Sequence, residues 1–398
     1  MVDYAPTRSS RARRRARRVE VEASSLVRRV DWVLASAVAA LVAYGLWAIG
    51  GITHHDVAGK PSFYVVRQAT FVAVGVAAAI GAALIDPAIY RRYGRLLYAG
   101  TVGLMAFVFL AGPVTRGSRR WLDLGPFRFQ PSEFGKLLLV LFLAGFLADR
   151  YKRIGEGDPR VTAAAIGLAV VPMGLVFVQP DFGTALVYGV AAFAVLFVAC
   201  TRWIQLAAIA AVVFLVALAL LWFLPAAGIH VLKPYQEDRL IGFTNPSKDP
   251  AGSTYNVNQS ITAVGAGGVR GRGVGGATQT NLDYLPEHAT DFAFASLAEQ
   301  RGFLGALVAL LLYLLVVWRG LRIITLARDS FSAIAAGGIV AMFLFEVFVN
   351  VGMTMGIAPI TGIPLPFVSV GGSSMIANLA AVGVLLAIYG RGRGVRRS

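Results

Sequence analysis

Charged side chains are scarce in this sequence of 398 residues, where they make up 15% against 57% hydrophobic residues. A soluble domain carries roughly 25% charged residues. The low share therefore excludes an ordinary water-soluble fold and indicates lipid as the main solvent of the chain. Only one cysteine is present, Cys200, which excludes an internal disulfide framework and a cysteine metal site within one chain.

Three motifs that would identify other classes of protein are missing. The sequence has no Gly-x-x-x-x-Gly-Lys-Ser/Thr loop, so nothing supports an ATP-driven pump. It has no Asp-x-Asp pair of the kind with which nucleotide-sugar enzymes hold a metal, and no Ser-x-x-Lys motif of a transpeptidase nucleophile. A glycine-rich run at 265–273 follows no strand, so it is not a dinucleotide site. It predicts a flexible turn or a backbone that approaches substrate closely.

Apolar runs dominate the rest of the chain, each about long enough to cross a hydrocarbon core of about 30 Å as a helix. We predict an all-α polytopic membrane protein with about ten transmembrane helices. The membrane domain spans 31–390, between a basic tail at 1–30 and a short tail at 391–398. The predicted spans are 31–52, 62–85, 95–112, 132–149, 161–179, 182–200, 203–224, 291–317, 331–356 and 369–390.

The distribution of basic residues predicts the orientation. Of the 37 lysines and arginines, 24 lie in the two tails and in the loops 86–95, 150–160, 201–202 and 318–330. Short cytoplasmic loops are basic, so both termini are predicted to lie in the cytoplasm, with the chain in the inner membrane. The net charge of +16 then reflects topology, and no nucleic-acid partner is expected. The nine arginines at 8–29 suit an arm that fixes orientation on anionic lipid, or one that binds a partner.

A long segment, 226–290, separates the seventh and eighth spans on the external side. Long loops in compact proteins are usually functional or disordered. This one mixes charged and glycine-rich stretches with aromatic residues, so we predict short helices and part of the active site there. The aromatic residues include Tyr235, Phe243, Tyr255 and Tyr284.

Ionisable residues inside membrane spans mark functional sites by default. Glu133 and Lys136 stand three apart, so a helix places them on one face where they can pair. Asp181 and Asp291 each begin a span and could serve only as helix caps. Yet Arg67, Lys136 and both aspartates fall at the external ends of their helices. A carboxylate at that depth is partly desolvated, which makes it a usable general base.

Several stretches resemble the SEDS family of membrane proteins, in the right order and over everything after the basic tail. They are Gly-Ser-Arg-Arg-Trp-Leu at 117–122, Phe-Gln-Pro-Ser-Glu-Phe-Gly-Lys at 129–136, Gln-Pro-Asp-Phe-Gly-Thr-Ala at 179–185, Leu-Pro-Glu-His-Ala-Thr-Asp-Phe at 285–292, Asn-Val-Gly-Met-Thr at 350–354 and Gly-Ile-Pro-Leu-Pro-Phe-Val-Ser-Val-Gly-Gly-Ser-Ser at 362–374. The resemblance implies a polymerase that joins lipid II into peptidoglycan glycan strands. It also implies partners: a class B penicillin-binding protein and other elongation-complex proteins. The sequence at 361–367 resembles that of the elongation branch of the family. A division-type polymerase is the alternative.

The same resemblance implies roles for individual residues. Asp291 matches the family's catalytic aspartate, Trp121 an important external tryptophan, and Glu133 with Lys136 the intramembrane pair. Arg67 and Asp181 match polar positions of the central cavity.

Three positions depart from the family pattern. Ala289 occupies the place of a common histidine, and His288 stands one residue earlier, which weakens a role for that histidine. Val370 replaces a common tyrosine. Glu346 stands where a glutamine is expected, and we expect it to be protonated and hydrogen-bonded to Asn350.

The predicted reaction is an inverting glycosyl transfer in which Asp291 takes the proton of the acceptor's 4-hydroxyl. The departing pyrophosphate could be stabilised by a divalent cation, Mg²⁺ or Mn²⁺, whose ligands the sequence does not identify, or by a basic residue. The basic candidates are Arg67, Lys136, Arg270 and Arg272. Glu287 is a further substrate-binding candidate and, with Asp283, an alternative base. Trp121 offers a flat apolar surface to sugar or lipid, or anchors the chain at the interface.

Two functions from other classes remain open at this point. A transporter that flips lipid II would use the same cavity, but it predicts inverted repeats, and no convincing repeat is visible. A scaffold that recruits the penicillin-binding protein would not need Asp291 in its acidic form.

Overall fold

Ten long helices build the membrane domain in the computed structural model, which describes residues 30–114, 118–123, 125, 127–228 and 254–395. They are α1 Trp32–Ile52, α2 Phe63–Leu84, α3 Pro87–Ala111, α4 Pro131–Ala148, α5 Pro159–Val178, α6 Phe182–Val198, α7 Trp203–Leu218, α8 Ala293–Leu326, α9 Ser330–Thr354 and α10 Gly372–Val395. Within the described residues, nine helices are long and apolar enough to cross a membrane, α7 being extended to Ala226, and α6 has 17 residues. The predicted fold class is confirmed, and each predicted span coincides with one helix.

Aspartates begin several of these helices. Asp31, Asp86, Asp158 and Asp329 accept hydrogen bonds from backbone N–H groups of the first turns of α1, α3, α5 and α9. The cap at Asp86, followed by a proline, starts α3 well before the predicted residue 95. The apolar pattern predicted the apolar part of α3, from residue 95 onward, and missed the basic first turns of the helix.

The helices differ in how much of their surface the protein itself covers. In the most apolar stretch of α4 and α10, 78% and 83% of the residues are buried, whereas in that of α7 none is. Because α4 lies at the centre, its ionisable side chains are surrounded by protein. They must therefore be paired within the bundle.

Helix α8 is broken near its start by Gly302, whose φ of 66° and ψ of −167° are not helical. The chain 268–272 runs beside this break: Phe303 and Leu304 donate backbone hydrogen bonds to the carbonyls of Gly268 and Val269. Span eight was predicted to start at 291. In the structure, a buried helical segment, 293–301, precedes the break, and the long apolar helix follows Gly302.

The long segment 226–290 contains short helices, as predicted: Tyr255–Gly267, Gly273–Gly276 and Thr278–Asn281. Of its aromatic residues, Tyr235 and Phe243 lie outside the described residues, as does the arginine tail. The glycines of the run at 265–273 bring backbone against backbone: a Cβ at Gly267 or Gly271 would collide with carbonyl oxygens of the segment 293–301. The close approach allowed by these glycines is thus to the protein's own helix.

A small hairpin precedes α4. Strand β1, Leu122–Asp123, pairs antiparallel with β2, Arg128–Phe129. Trp121 and Arg128 are therefore held close to the start of α4, at the same end of the bundle as the loop 53–62.

Candidate active site

A cavity of about 410 Å³ opens at this end of the bundle. Loops and helix ends that are distant in sequence supply its walls. The lining residues are Asp56, Tyr64, Arg67, Phe71, Trp121, Phe127, Arg128, Glu287, His288, Ala289, Thr290, Val370, Gly371 and Gly372. Three of the predicted site residues, Arg67, Trp121 and Glu287, are brought together here.

One side of the cavity combines cations with aromatic rings. Arg67, in the second turn of α2, places its guanidinium carbon 5.8 Å from the ring centre of Phe71. Phe71 in turn packs on Phe127, with ring centres 5.4 Å apart. Arg128 and Trp121 from the hairpin complete this wall. Guanidinium groups bind phosphate through paired hydrogen bonds, and flat rings suit sugar faces or lipid, so this wall fits an anionic glycolipid.

The segment 287–290 forms another side of the cavity, and hydrogen bonds fix the backbone of this segment and of the next residue, Asp291. The carbonyl of Ala289 accepts from Val370 N at 2.9 Å, and that of Thr290 accepts from Ser369 Oγ at 2.5 Å. The carbonyl of Asp291 accepts from Asn350 Nδ2 at 2.9 Å. Residues of α9 and of the chain just before α10 therefore hold the predicted catalytic residue in place.

Asp291 follows the cavity-lining Thr290 directly. The helical segment after it begins at Ala293 with Phe292 at the N-cap position, so Asp291 does not occupy the N-cap. Asp181 does act as a cap: its Oδ1 accepts from Thr184 N at 3.2 Å. The cap that the sequence left open as an alternative for both aspartates is therefore present at Asp181, whereas near Asp291 the N-cap position belongs to Phe292.

His288 and Asp56 are cavity residues that the sequence interpretation did not identify. His288 Nε2 lies 3.1 Å from Asp56 Oδ1. The shifted histidine is therefore a cavity residue, although its position in the motif argued against a role. The polar cluster His54-His55-Asp56, just after the end of α1, was the signal available in the sequence.

Below the cavity, Lys136 is buried between two carboxylates. Its Nζ lies 3.0 Å from Glu133 Oε2 and 2.5 Å from Glu346 Oε1, and all three side chains are at most 4% exposed. The predicted pair of Glu133 and Lys136 is confirmed. The expected partner of Glu346 was wrong: Glu346 contacts Lys136, and Asn350 donates to the carbonyls of Asp291 and Ile363.

Asp181 lies close to this buried group. Its Oδ2 accepts from Gln130 Nε2 at 2.9 Å and lies 3.6 Å from Arg120. Gln130 is the residue just before α4, and its backbone N–H donates to Ser373 Oγ at the start of α10. This network joins α4, α6 and α10 immediately beneath the hairpin.

The loop arginines lie elsewhere. Arg270 and Arg272 are exposed on the chain that runs beside Gly302, and neither lines the cavity. Arg272 donates to the carbonyl of Ala266 at 3.0 Å. Their contact with substrate stays a prediction.

A divalent cation at the site also stays a prediction. The described residues contain no group of three or more histidine, cysteine or acidic side chains that could hold such an ion. Phosphate oxygens of the substrate would therefore have to complete its ligands.

The fold and the site together define a polytopic helical membrane protein with a cationic, aromatic cavity above a buried charge cluster. The model of the FtsW, RodA and SpoVE family, described as "Cell cycle protein", matches residues 28–393. The chain therefore belongs to this family, to which its motifs pointed.

Known relatives cover most of the chain. Peptidoglycan glycosyltransferase MrdB of Escherichia coli (strain K12) is 37% identical over 323 residues, which are 81% of this chain and 85% of that protein. Stage V sporulation protein E of Bacillus subtilis (strain 168) is 39% identical over 326 residues, 81% of this chain and 86% of that one. A solved chain from a peptidoglycan synthase complex that coordinates polymerization and crosslinking superposes with a TM-score of 0.77 at 30% identity, covering 91% of this chain and 98% of that chain.

Proposed function

We propose that this chain is a peptidoglycan glycosyltransferase that polymerises lipid II into glycan strands. Its family membership and the name of its relative MrdB support the transferase activity. Lipid II fits the cavity's combination of guanidinium groups with aromatic rings. The motif at 361–367 favours a role in cell elongation and shape over a division role.

The observation that carries the mechanism is the position of Asp291. It adjoins the cavity wall, does not occupy the N-cap, and has its backbone fixed by Asn350. The 4-hydroxyl oxygen of an acceptor lipid II attacks the anomeric carbon of the lipid-linked glycan, and its proton passes to the Asp291 carboxylate. The bond from that carbon to the pyrophosphate breaks with inversion, and the electron pair leaves with undecaprenyl pyrophosphate. Arg67 and Arg128 stabilise the charge of the leaving group.

Substitution of Asp291 by asparagine tests this mechanism. Asparagine is nearly isosteric but cannot take the proton, so synthesis should fall by about 10²-fold or more, the scale of a lost general base. The measurement is product length on a gel, from purified protein, lipid II and a penicillin-binding partner whose active serine is blocked. Glu287→Gln, which removes the alternative base in the cavity, is the matched control and should retain more activity. Equal product from wild type and Asp291→Asn would remove Asp291 from the mechanism. A transporter or a scaffold instead predicts no glycan product from either protein.

The chain acts at the outer face of the cytoplasmic membrane with both termini inside, because the loops on one side carry most of its basic residues. The loop 53–62 and the cavity are then external. Cysteines placed at Ala58 and Glu156 in a Cys200→Ala background should be labelled by impermeant reagents from opposite sides. Labelling from one side would contradict this topology.

A class B penicillin-binding protein and other elongation proteins are the proposed partners. The likeness to a chain of a synthase complex supports the first of these. The absence of a Ser-x-x-Lys motif supports it as well, because another chain must then cross-link the strands.

A further inference from the structure

Two loops that are far apart in sequence meet at the rim of the cavity. Asp56 lies between α1 and α2, and His288 lies in the segment that leads to Asp291. Their facing side chains are 17% and 12% exposed, with Nε2 and Oδ1 3.1 Å apart. This contact is the direct polar link between the loop 53–62 and the catalytic segment in the described part of the cavity.

Both ring nitrogens of His288 face oxygen atoms of the protein. Nδ1 lies 3.2 Å from the carbonyl oxygen of Leu285, and Nε2 faces the Asp56 carboxylate. The exposed carboxylate of Asp283 is also near, with its Oδ1 3.8 Å from Nδ1. The imidazole is therefore held in place from both of its nitrogens.

The other charged groups at the rim come from the same segment and from two further elements. Glu287 adjoins His288 on the same segment, Arg67 belongs to α2 and Arg128 to β2.

We propose that Asp56 and His288 are positioning residues that clamp the catalytic segment. Asn350, Ser369 and Val370 fix this segment from the membrane side, and the clamp fixes it from the loop side. A general base must lie within hydrogen-bond reach of the proton that it removes, so loosening the segment lowers the rate without touching substrate. This inference rests on the proposed polymerase function for its kinetic consequences.

Kinetics of His288→Ala, Asp56→Ala and the double variant test the clamp. Each single change should lower kcat/KM about 3- to 10-fold, the scale of a partly exposed charged contact. The double variant should lose no more than the worse single variant, because each change breaks the same contact. His55→Ala is the matched control: it removes an exposed histidine one residue away, whose ring packs on His54, and should leave kcat/KM unchanged.

The double variant separates a clamp from two independent contributions. Single effects that multiply in the double variant would overturn the proposal.

Hydrogen exchange gives a readout that does not require activity. Amides of 285–291 should exchange faster in Asp56→Ala than in wild type at pH 6, with exchange in α4 unchanged. Unchanged exchange at 285–291 would overturn the clamp even if Asp291→Asn proves inactive. Conversely, faster exchange together with an active Asp291→Asn would retain the clamp and reject the proposed mechanism.

Discussion

The cavity and the buried cluster of Glu133, Lys136 and Glu346 contain the same kinds of side chain in opposite settings. In the cavity, Arg67 is exposed and stacks near an aromatic ring, where a ligand can reach it. In the cluster, Lys136 is 2% exposed and contacts two carboxylates. The exposed arginines at the cavity, Arg67 and Arg128, are available to a substrate, whereas the charges in the cluster are already paired with one another.

This difference separates two kinds of contribution to function. A solvated charge costs little to keep unpaired, so cavity residues can be selected for what they bind. A charge sealed in the bundle is tolerated only with its partners, and removing one partner leaves the others uncompensated. We therefore expect cavity substitutions to affect mainly synthesis and cluster substitutions to affect mainly folding.

The largest effect on folding is expected for Lys136→Met. It leaves the Glu133 and Glu346 carboxylates buried without their cation, and breaking a buried ion pair in this way destabilises a protein by about 3–5 kcal/mol. Yield and thermal unfolding in detergent measure the loss. The combined change Glu133→Gln, Lys136→Met and Glu346→Gln removes all three charges and should unfold at a higher temperature than Lys136→Met alone.

Arg67→Met is the control from the cavity. It also replaces a cation by an apolar side chain, but at an exposed position, so the unfolding temperature should change far less while synthesis falls. If Lys136→Met and Arg67→Met are equally stable, the contrast between paired and available charges is wrong.

Local spacing was enough to predict part of this arrangement. The ten spans follow from apolar runs, and the pairing of Glu133 with Lys136 follows from their separation by three residues on one helix. The cap at Asp181 follows from an aspartate placed just before a helix. Each of these features depends on residues close together in the chain.

The features that were missed depend on tertiary contacts. Glu346 meets Lys136 across 210 residues, and His288 meets Asp56 across 232. Helical or strand spacing says nothing about such pairs. The break in α8 was missed for a related reason: Gly302 is one of two glycines in the predicted span, and only the neighbouring chain 268–272 shows why the helix stops there.

The smallest effect is expected for Glu346→Gln, which tests whether the second carboxylate of the cluster is needed. Lys136 keeps Glu133 at 3.0 Å, so one cation and one anion remain, and the glutamine oxygen can still accept from the Lys136 ammonium. The cluster loses its excess negative charge, which offsets the lost attraction, so stability should stay within about 1 kcal/mol of wild type. The glutamine side chain also carries an N–H₂ group that can donate to Asn350 Oδ1, which is buried one turn away without a hydrogen-bond partner. Two measurements test this: thermal unfolding and glycan synthesis of Glu346→Gln, each compared with Lys136→Met. Equal damage from the two changes would mean that Lys136 requires both carboxylates.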